Sequence, residues 1–110
     1  MFTATFITLA PEAYPGPLGV SILGRSRAEG LWALETVDLR GFGLGKHRKV
    51  DETPAGGGAG LVLRPDVAAA AIDSVDRARR PPIYLSPRGQ RVDQQMAPSW
   101  AAGPGGVLFC

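Results

Sequence analysis

Strand-like and helix-like segments alternate along this chain, and that alternation constrains it most, because strands joined through helices pair in parallel. Phe2–Leu9 is rich in aromatic and β-branched residues and stops before Pro11, the pattern of a strand buried on both faces. Pro15-Gly16-Pro17 makes a turn. Pro17 suits the start of a helix in which Leu18, Ile22 and Leu23 share an apolar face, with Gly30 as its stop about four turns on. Leu31–Arg40 mixes Trp32, Leu34, Val37 and Leu39 with Glu35 and Asp38, as a strand with one partly wet face requires.

After the short apolar run Leu61-Val62-Leu63, Pro65-Asp66 opens the clearest helix. Val67, Ala71, Val75 and Ala78 recur along it, and Arg77, Arg79 and Arg80 close it on the negative end of the helix dipole before Pro81-Pro82. Ile83-Tyr84-Leu85 reads as a short strand, Ser86–Gln90 as a loop, and Asp93–Ala102 as a weak helix with Pro98 inside it. Gly103–Gly106 punctuates, and Val107–Cys110 begins a further apolar strand. The expected fold is α/β, a mostly parallel sheet with right-handed crossovers and flanking helices. With 110 residues, no internal repeat and no linker, it is one small domain or part of a larger one.

One segment fits no element. Gly41–Gly60 holds seven of the fifteen glycines and is too long for an ordinary connection; loops of that length are functional or unstructured. It concentrates Lys46, His47, Arg48 and Lys49 beside Asp51 and Glu52. Three cations in a Gly-flanked loop suit a phosphate backbone, and the acids would orient them or handle a proton; a solvated charged turn fits the composition as well. Gly56–Gly60 either lets backbone amides approach a ligand closely or acts as a hinge. No Gly-Lys-Ser/Thr follows, so it is not a Walker A loop, and Gly41-Phe42-Gly43-Leu44-Gly45 lacks the third glycine and the helix of a dinucleotide fingerprint. Ser86-Pro87-Arg88-Gly89 follows a strand, where open α/β sheets bind ligands, and is equally an ordinary turn.

A net charge of +2 with a pI near 9.1 permits a nucleic-acid partner without demanding one. The sole cysteine, Cys110, has no disulfide partner and no zinc companions, which points to a reducing compartment. Met1–Leu9 lacks a basic leader, and Pro11-Glu12 ends its apolar run, so a soluble cytoplasmic protein is expected. With one histidine, neither a Ser-His-Asp set nor a metal site can be assembled.

Thr8-Leu9-Ala10-Pro11-Glu12, Gly24-Arg25, Lys46–Pro54, Gly56–Gly60 and Tyr84–Gly89, taken in order, resemble the N-terminal half of the bacterial tRNA (guanine-N1)-methyltransferases, the TrmD family. The specific part is the His-Arg-x-Val-Asp-(acid)-x-Pro-x-Gly-Gly-Gly-x-Gly run from His47 to Gly60, in which Glu52 stands where aspartate is frequent. The resemblance implies a homodimeric SPOUT methyltransferase with a trefoil-knotted domain, S-adenosylmethionine as cofactor, and methyl transfer to N1 of guanosine 37 of tRNA. By the same resemblance Tyr84, Leu85, Ser86, Pro87 and Gly89 form the first cofactor loop (84–90). The segment 41–60 is then the active-site and tRNA loop, with His47, Arg48 and Asp51 beside the guanosine or its phosphates and Gly58 and Gly60 where bulk would crowd it.

The family pattern continues past the strand that reaches Cys110 into further cofactor loops, the knot, the catalytic Asp and Arg, and a helical tRNA-binding domain. Residues 1–110 are thus expected to be a partial domain that ends before the knot, contains no catalytic residue and does not turn over alone. The alternatives are a short non-catalytic RNA-binding module using 46–49, and a half-protein that docks a partner through its open sheet edge.

Overall fold

The computed structural model describes residues 1–109; Cys110, at the end of the last expected strand, lies outside them. The strands are β1 (Phe2–Thr8), β2 (Trp32–Asp38), β3 (Asp51–Glu52), β4 (Val62–Leu63), β5 (Pro82–Tyr84) and β6 (Gly105–Phe109). The helices are α1 (Ser21–Ala28), α2 (Pro65–Asp73) and α3 (Ala97–Ala101). Strands β2-β1-β6-β5, in that order, form a sheet whose neighbours are all parallel, so the α/β expectation holds. Ile7 stands opposite Val37 on one side and Phe109 on the other, and Tyr84 opposite Phe109. The carboxyl ends of all four strands therefore lie along one edge.

The sheet is covered on both faces because successive side chains of the central β1 point opposite ways. Thr5 and Ile7 face α2, where Ile7 joins Leu39, Val67, Ala71 and Val107 in the buried core. Ala4 and Phe2 face the other way, onto an apolar groove with Leu18, Leu23, Trp32 and Ala101 from the α1 and α3 side.

Several elements depart from expectation. Pro17 does not begin α1 but lies in a separate 3-10 turn, Gly16–Gly19. Extended Val20 separates that turn from the helix, and Ile22 points into solvent instead of joining Leu18 and Leu23. The backbone of Gly19 packs onto Gly24, where a Cβ would sit 2.2 Å from the Gly19 carbonyl oxygen, so the two turns abut rather than merge. At the other end Gly30 does stop the helix. Its N–H donates to the Arg27 carbonyl (3.0 Å) and that of Leu31 to Ser26 (2.9 Å), the paired bonds of a Schellman cap.

Helix α2 ends at Asp73, well short of the arginines expected to close it. Ala78 and Arg79 adopt positive φ, and Arg80 turns inward instead of capping the helix. Its Nη1 donates to Thr5 Oγ1 (2.6 Å) and the Thr3 carbonyl (3.3 Å), its Nη2 to the Asp76 carbonyl (2.7 Å) and its Nε to that of Arg77 (2.9 Å). Glu35 supplies the counter-charge at 4.0 Å and accepts from the Thr5 hydroxyl (2.9 Å). A guanidinium only 6% exposed is tolerable because its N–H groups meet acceptors and a carboxylate faces it.

Pro98 falls in the first turn of α3, where its missing N–H costs nothing, so the helix is short rather than broken. Strand β6 starts two residues early, inside the expected punctuation, and Gly105 is indispensable there. Its φ is +119°, and a Cβ would lie 1.9 Å from the Thr3 carbonyl oxygen.

Replacing Arg80 by Met would strand several buried acceptors, and is expected to lower stability by about 3 kcal/mol, read as a fall in the urea midpoint at unchanged slope. A midpoint within error of the parent would remove the role given to this side chain.

Candidate functional site

The two segments singled out in the sequence both leave the carboxyl edge of the sheet, one after β2 and one after β5, the position at which open parallel sheets bind ligands. The first is not structureless. Leu39 begins a 3-10 turn (Leu39–Phe42) and is buried in the core, with Phe42 and Val50 packed against it. Between those anchors Leu44 and Lys49 exchange two backbone hydrogen bonds of 2.8 Å, closing a tight hairpin. Lys46, His47 and Arg48 form its exposed tip. Arg48 has φ +51°, and a side chain at Gly43 would strike the Arg48 carbonyl at 2.1 Å.

Asp51 and Glu52 follow as β3, antiparallel to β4, with Asp51 opposite Leu63 and half-buried. The ribbon is held by Arg64, whose Nη1 lies 2.7 Å from Glu52 and whose Nε and Nη2 donate to the two Asp66 oxygens (3.1 and 3.0 Å). The hydrogen bond from Arg64 holds the Asp66 carboxyl below the usual carboxylate range, against a smaller opposing effect of burial. Asp66 in turn, helped by Glu52, raises the Arg64 guanidinium further above its already high value. Beyond β3 the chain turns at Pro54–Gly57 (3.0 Å), and Gly58 and Gly60 run through positive φ in open space.

At the end of β5, Tyr84 is 73% exposed, its ring 6.3 Å from that of Phe109. Leu85 is exposed too. Ser86 organises the turn: its hydroxyl accepts from the Arg88 N–H (3.2 Å) and its carbonyl from the Gly89 N–H (3.1 Å), with Pro87 between them in solvent.

Between α2 and the β5–β6 pair runs an apolar groove of about 500 Å³, floored by Ile7, Val107 and Phe109 and walled by Leu63, Ile72 and Tyr84. The two segments approach each other there, since Tyr84 belongs to one and Leu63 pairs with Asp51 of the other. Of the expected site residues only Tyr84 lines it. His47 and Arg48 stand apart at the hairpin tip, Asp51 lies in the β3–β4 ribbon, and Gly58, Gly60, Leu85, Ser86, Pro87 and Gly89 do not line the groove. Sequence reasoning missed Arg64 and the groove itself. The first had a faint signal in Arg64-Pro65-Asp66, a cation two residues before an acid at a helix start; the second needs the register of β5 on β6. Among the described residues no group of three His, Cys, Asp or Glu could hold a metal, and no helix is long and apolar enough to cross a membrane.

The cationic hairpin and the second loop thus both lie on the carboxyl edge of one parallel sheet, where open α/β sheets take their ligands. Comparison with known proteins makes this specific: residues 2–110 match the family model for tRNA (Guanine-1)-methyltransferase TrmD, and the chain belongs to that family. It is 52% identical over 113 residues to the tRNA (guanine-N(1)-)-methyltransferase of Cereibacter sphaeroides, covering 97% of this chain and 45% of the relative. It is 55% identical to that of a Jannaschia species (97% and 46%) and 56% to that of Rhodopseudomonas palustris (97% and 44%). The chain thus spans under half the length of the curated relatives it matches.

Asp66 titrates lower in the folded chain than in the unfolded one, so its pairing stabilises the fold above the ordinary carboxylate range and ceases to do so as pH falls through the lowered value. Because the pair is largely exposed, the difference in urea midpoint between the chain and Asp66→Asn is expected to be small at pH 7, and it should close as the pH falls below about 4. A difference independent of pH would mean that the ion pair does not carry it.

Proposed function

We propose that this chain is the N-terminal part of an enzyme that transfers a methyl group from S-adenosylmethionine to N1 of guanosine 37 in tRNA. What carries the reading is one observation: in a chain of this family, the basic hairpin and the Tyr84–Gly89 loop leave the same edge of one parallel sheet. The residues of the second loop suit the adenosine part of the cofactor, since exposed Tyr84 and Leu85 offer apolar surface beside the groove, and Ser86, Pro87 and Gly89 form a turn with backbone at the edge. Bound there, the cofactor supplies an electrophilic methyl on a sulfonium centre.

The remaining roles fall to the first segment. Lys46, Arg48 and Lys49 neutralise tRNA phosphates. His47, Arg48 and Asp51 border the guanosine, and Gly58 and Gly60 leave room for the base. N1 of guanine carries a proton that must leave as the methyl arrives, so the reaction needs a base. The family resemblance puts that base, with the catalytic Asp and Arg and the tRNA-binding domain, outside residues 1–110. The same resemblance implies that the working enzyme is a SPOUT homodimer in the cytoplasm with its site between subunits.

Methyl incorporation from labelled S-adenosylmethionine is the direct test, on the protein as its gene expresses it. Label is expected in a transcript with guanosine at position 37 and not in one with adenosine there, with a rate at least ~tenfold lower for Asp51→Ala. A polypeptide limited to residues 1–110 is expected to leave both transcripts unlabelled. Equal labelling of the two transcripts would defeat the assignment of guanosine 37.

The exposed hairpin also favours a second, simpler reading, RNA binding without catalysis. Substituting Lys46, Arg48 and Lys49 together by Ala is expected to reduce the slope of log affinity for tRNA against log salt by about 0.7–0.9 for each phosphate no longer neutralised. An unchanged slope would remove the hairpin from the interface under either reading. A changed slope in a gene product that never methylates would favour the binding module.

A further inference from the structure

A two-residue strand paired with a two-residue strand does not hold itself in place, yet β3 carries Asp51. Both neighbours of Asp51 are held by the same residue. The Arg64 N–H donates to the Val50 carbonyl (2.8 Å), and the Arg64 guanidinium grips Glu52 (2.7 Å). That guanidinium is itself fixed by a fork of two bonds to Asp66, whose Oδ1 also accepts from the N–H of Val67, a core residue of α2. A continuous chain of bonds thus runs from the core through Asp66 and Arg64 to both sides of Asp51.

We propose that Arg64 is a positioning residue: bridging Glu52 of β3 and Asp66 of α2, it sets where Asp51 and the adjoining basic hairpin stand against the body of the domain. Its catalytic consequence rests on the methyltransferase reading. The planar fork spends two donors on Asp66 and leaves Nη1 for Glu52, a division that a lysine ammonium does not reproduce. The three side chains are partly exposed, 26%, 41% and 56% for Arg64, Glu52 and Asp66, and ion pairs of that kind add little to global stability. A large loss of rate in a variant whose melting temperature falls only slightly therefore reports position rather than unfolding. The Tyr84–Gly89 loop makes no hydrogen bond to Arg64, so cofactor binding is left alone.

The test uses the gene product with labelled S-adenosylmethionine and a guanosine-37 transcript. Arg64→Met is expected to lower kcat about tenfold with the KM for S-adenosylmethionine unchanged, since small misplacements of the guanosine that Asp51 borders cost rate steeply. Arg64→Lys should recover only part of the loss. Glu52→Gln should resemble Arg64→Met, and the double variant should be no worse than either alone, as members of one linked unit behave. Amide exchange over residues 46–52 should quicken in Arg64→Met.

An unchanged kcat in Arg64→Met overturns the positioning role, and so does a fall in kcat matched by a rise in the KM for the cofactor, which marks general damage. Failure of the methyltransferase reading shows differently, as a parent protein that does not label the transcript. In that event the exchange over 46–52 still decides, and rates identical in the parent and Arg64→Met overturn the inference.

Discussion

One buried guanidinium decides where half of this sheet goes. Arg80 sits two residues before the strand that leads into the Tyr84–Gly89 loop, yet its hydrogen bonds reach the middle of β1, with β6 lying between the two strands. The cost of burying that charge is offset only if the chain arrives with Thr3, Thr5, Asp76 and Arg77 all in reach, so few arrangements of the crossover are compatible with it. The start of β5 is thereby tied to the central strand through a side chain, in addition to its ladder with β6.

The same logic, at lower strength, organises the carboxyl edge. The Gly-rich segment is pinned at its root by apolar anchors, Leu39, Phe42 and Val50, and further on by the charged bridge at Arg64. Between those fixed points only the hairpin tip and the run around Gly58 project. The domain therefore presents its cations on a short hairpin closed by the Leu44–Lys49 pair rather than on a long tether.

The broad fold was legible in the sequence because it depends on patterns that repeat: the β-branched run of β1, the Val67–Ala71 stripe of α2, and Gly30 as a stop. What escaped reading depended on contacts between residues far apart in the chain. Arg80 looks like a dipole cap until Thr5, 75 positions away, claims it, and no local rule anticipates that pairing. The 41–60 segment looked shapeless because its order comes from a two-residue ribbon and from core anchors, neither of which leaves a periodic trace. The candidate site residues were recognisable as an ordered set of motifs. Their separation into a hairpin tip, a half-buried ribbon and an edge turn around one apolar groove was not.

Gly105 has a consequence at the level of the gene. Every change to the first or second base of a glycine codon that does not create a stop introduces a residue with a Cβ, and at this position that atom would lie 1.9 Å from the Thr3 carbonyl. Drift at that codon is confined to its third base. Two nucleotides are thus constrained by a single close approach of two backbones, at a residue that belongs to neither of the two loops on the carboxyl edge.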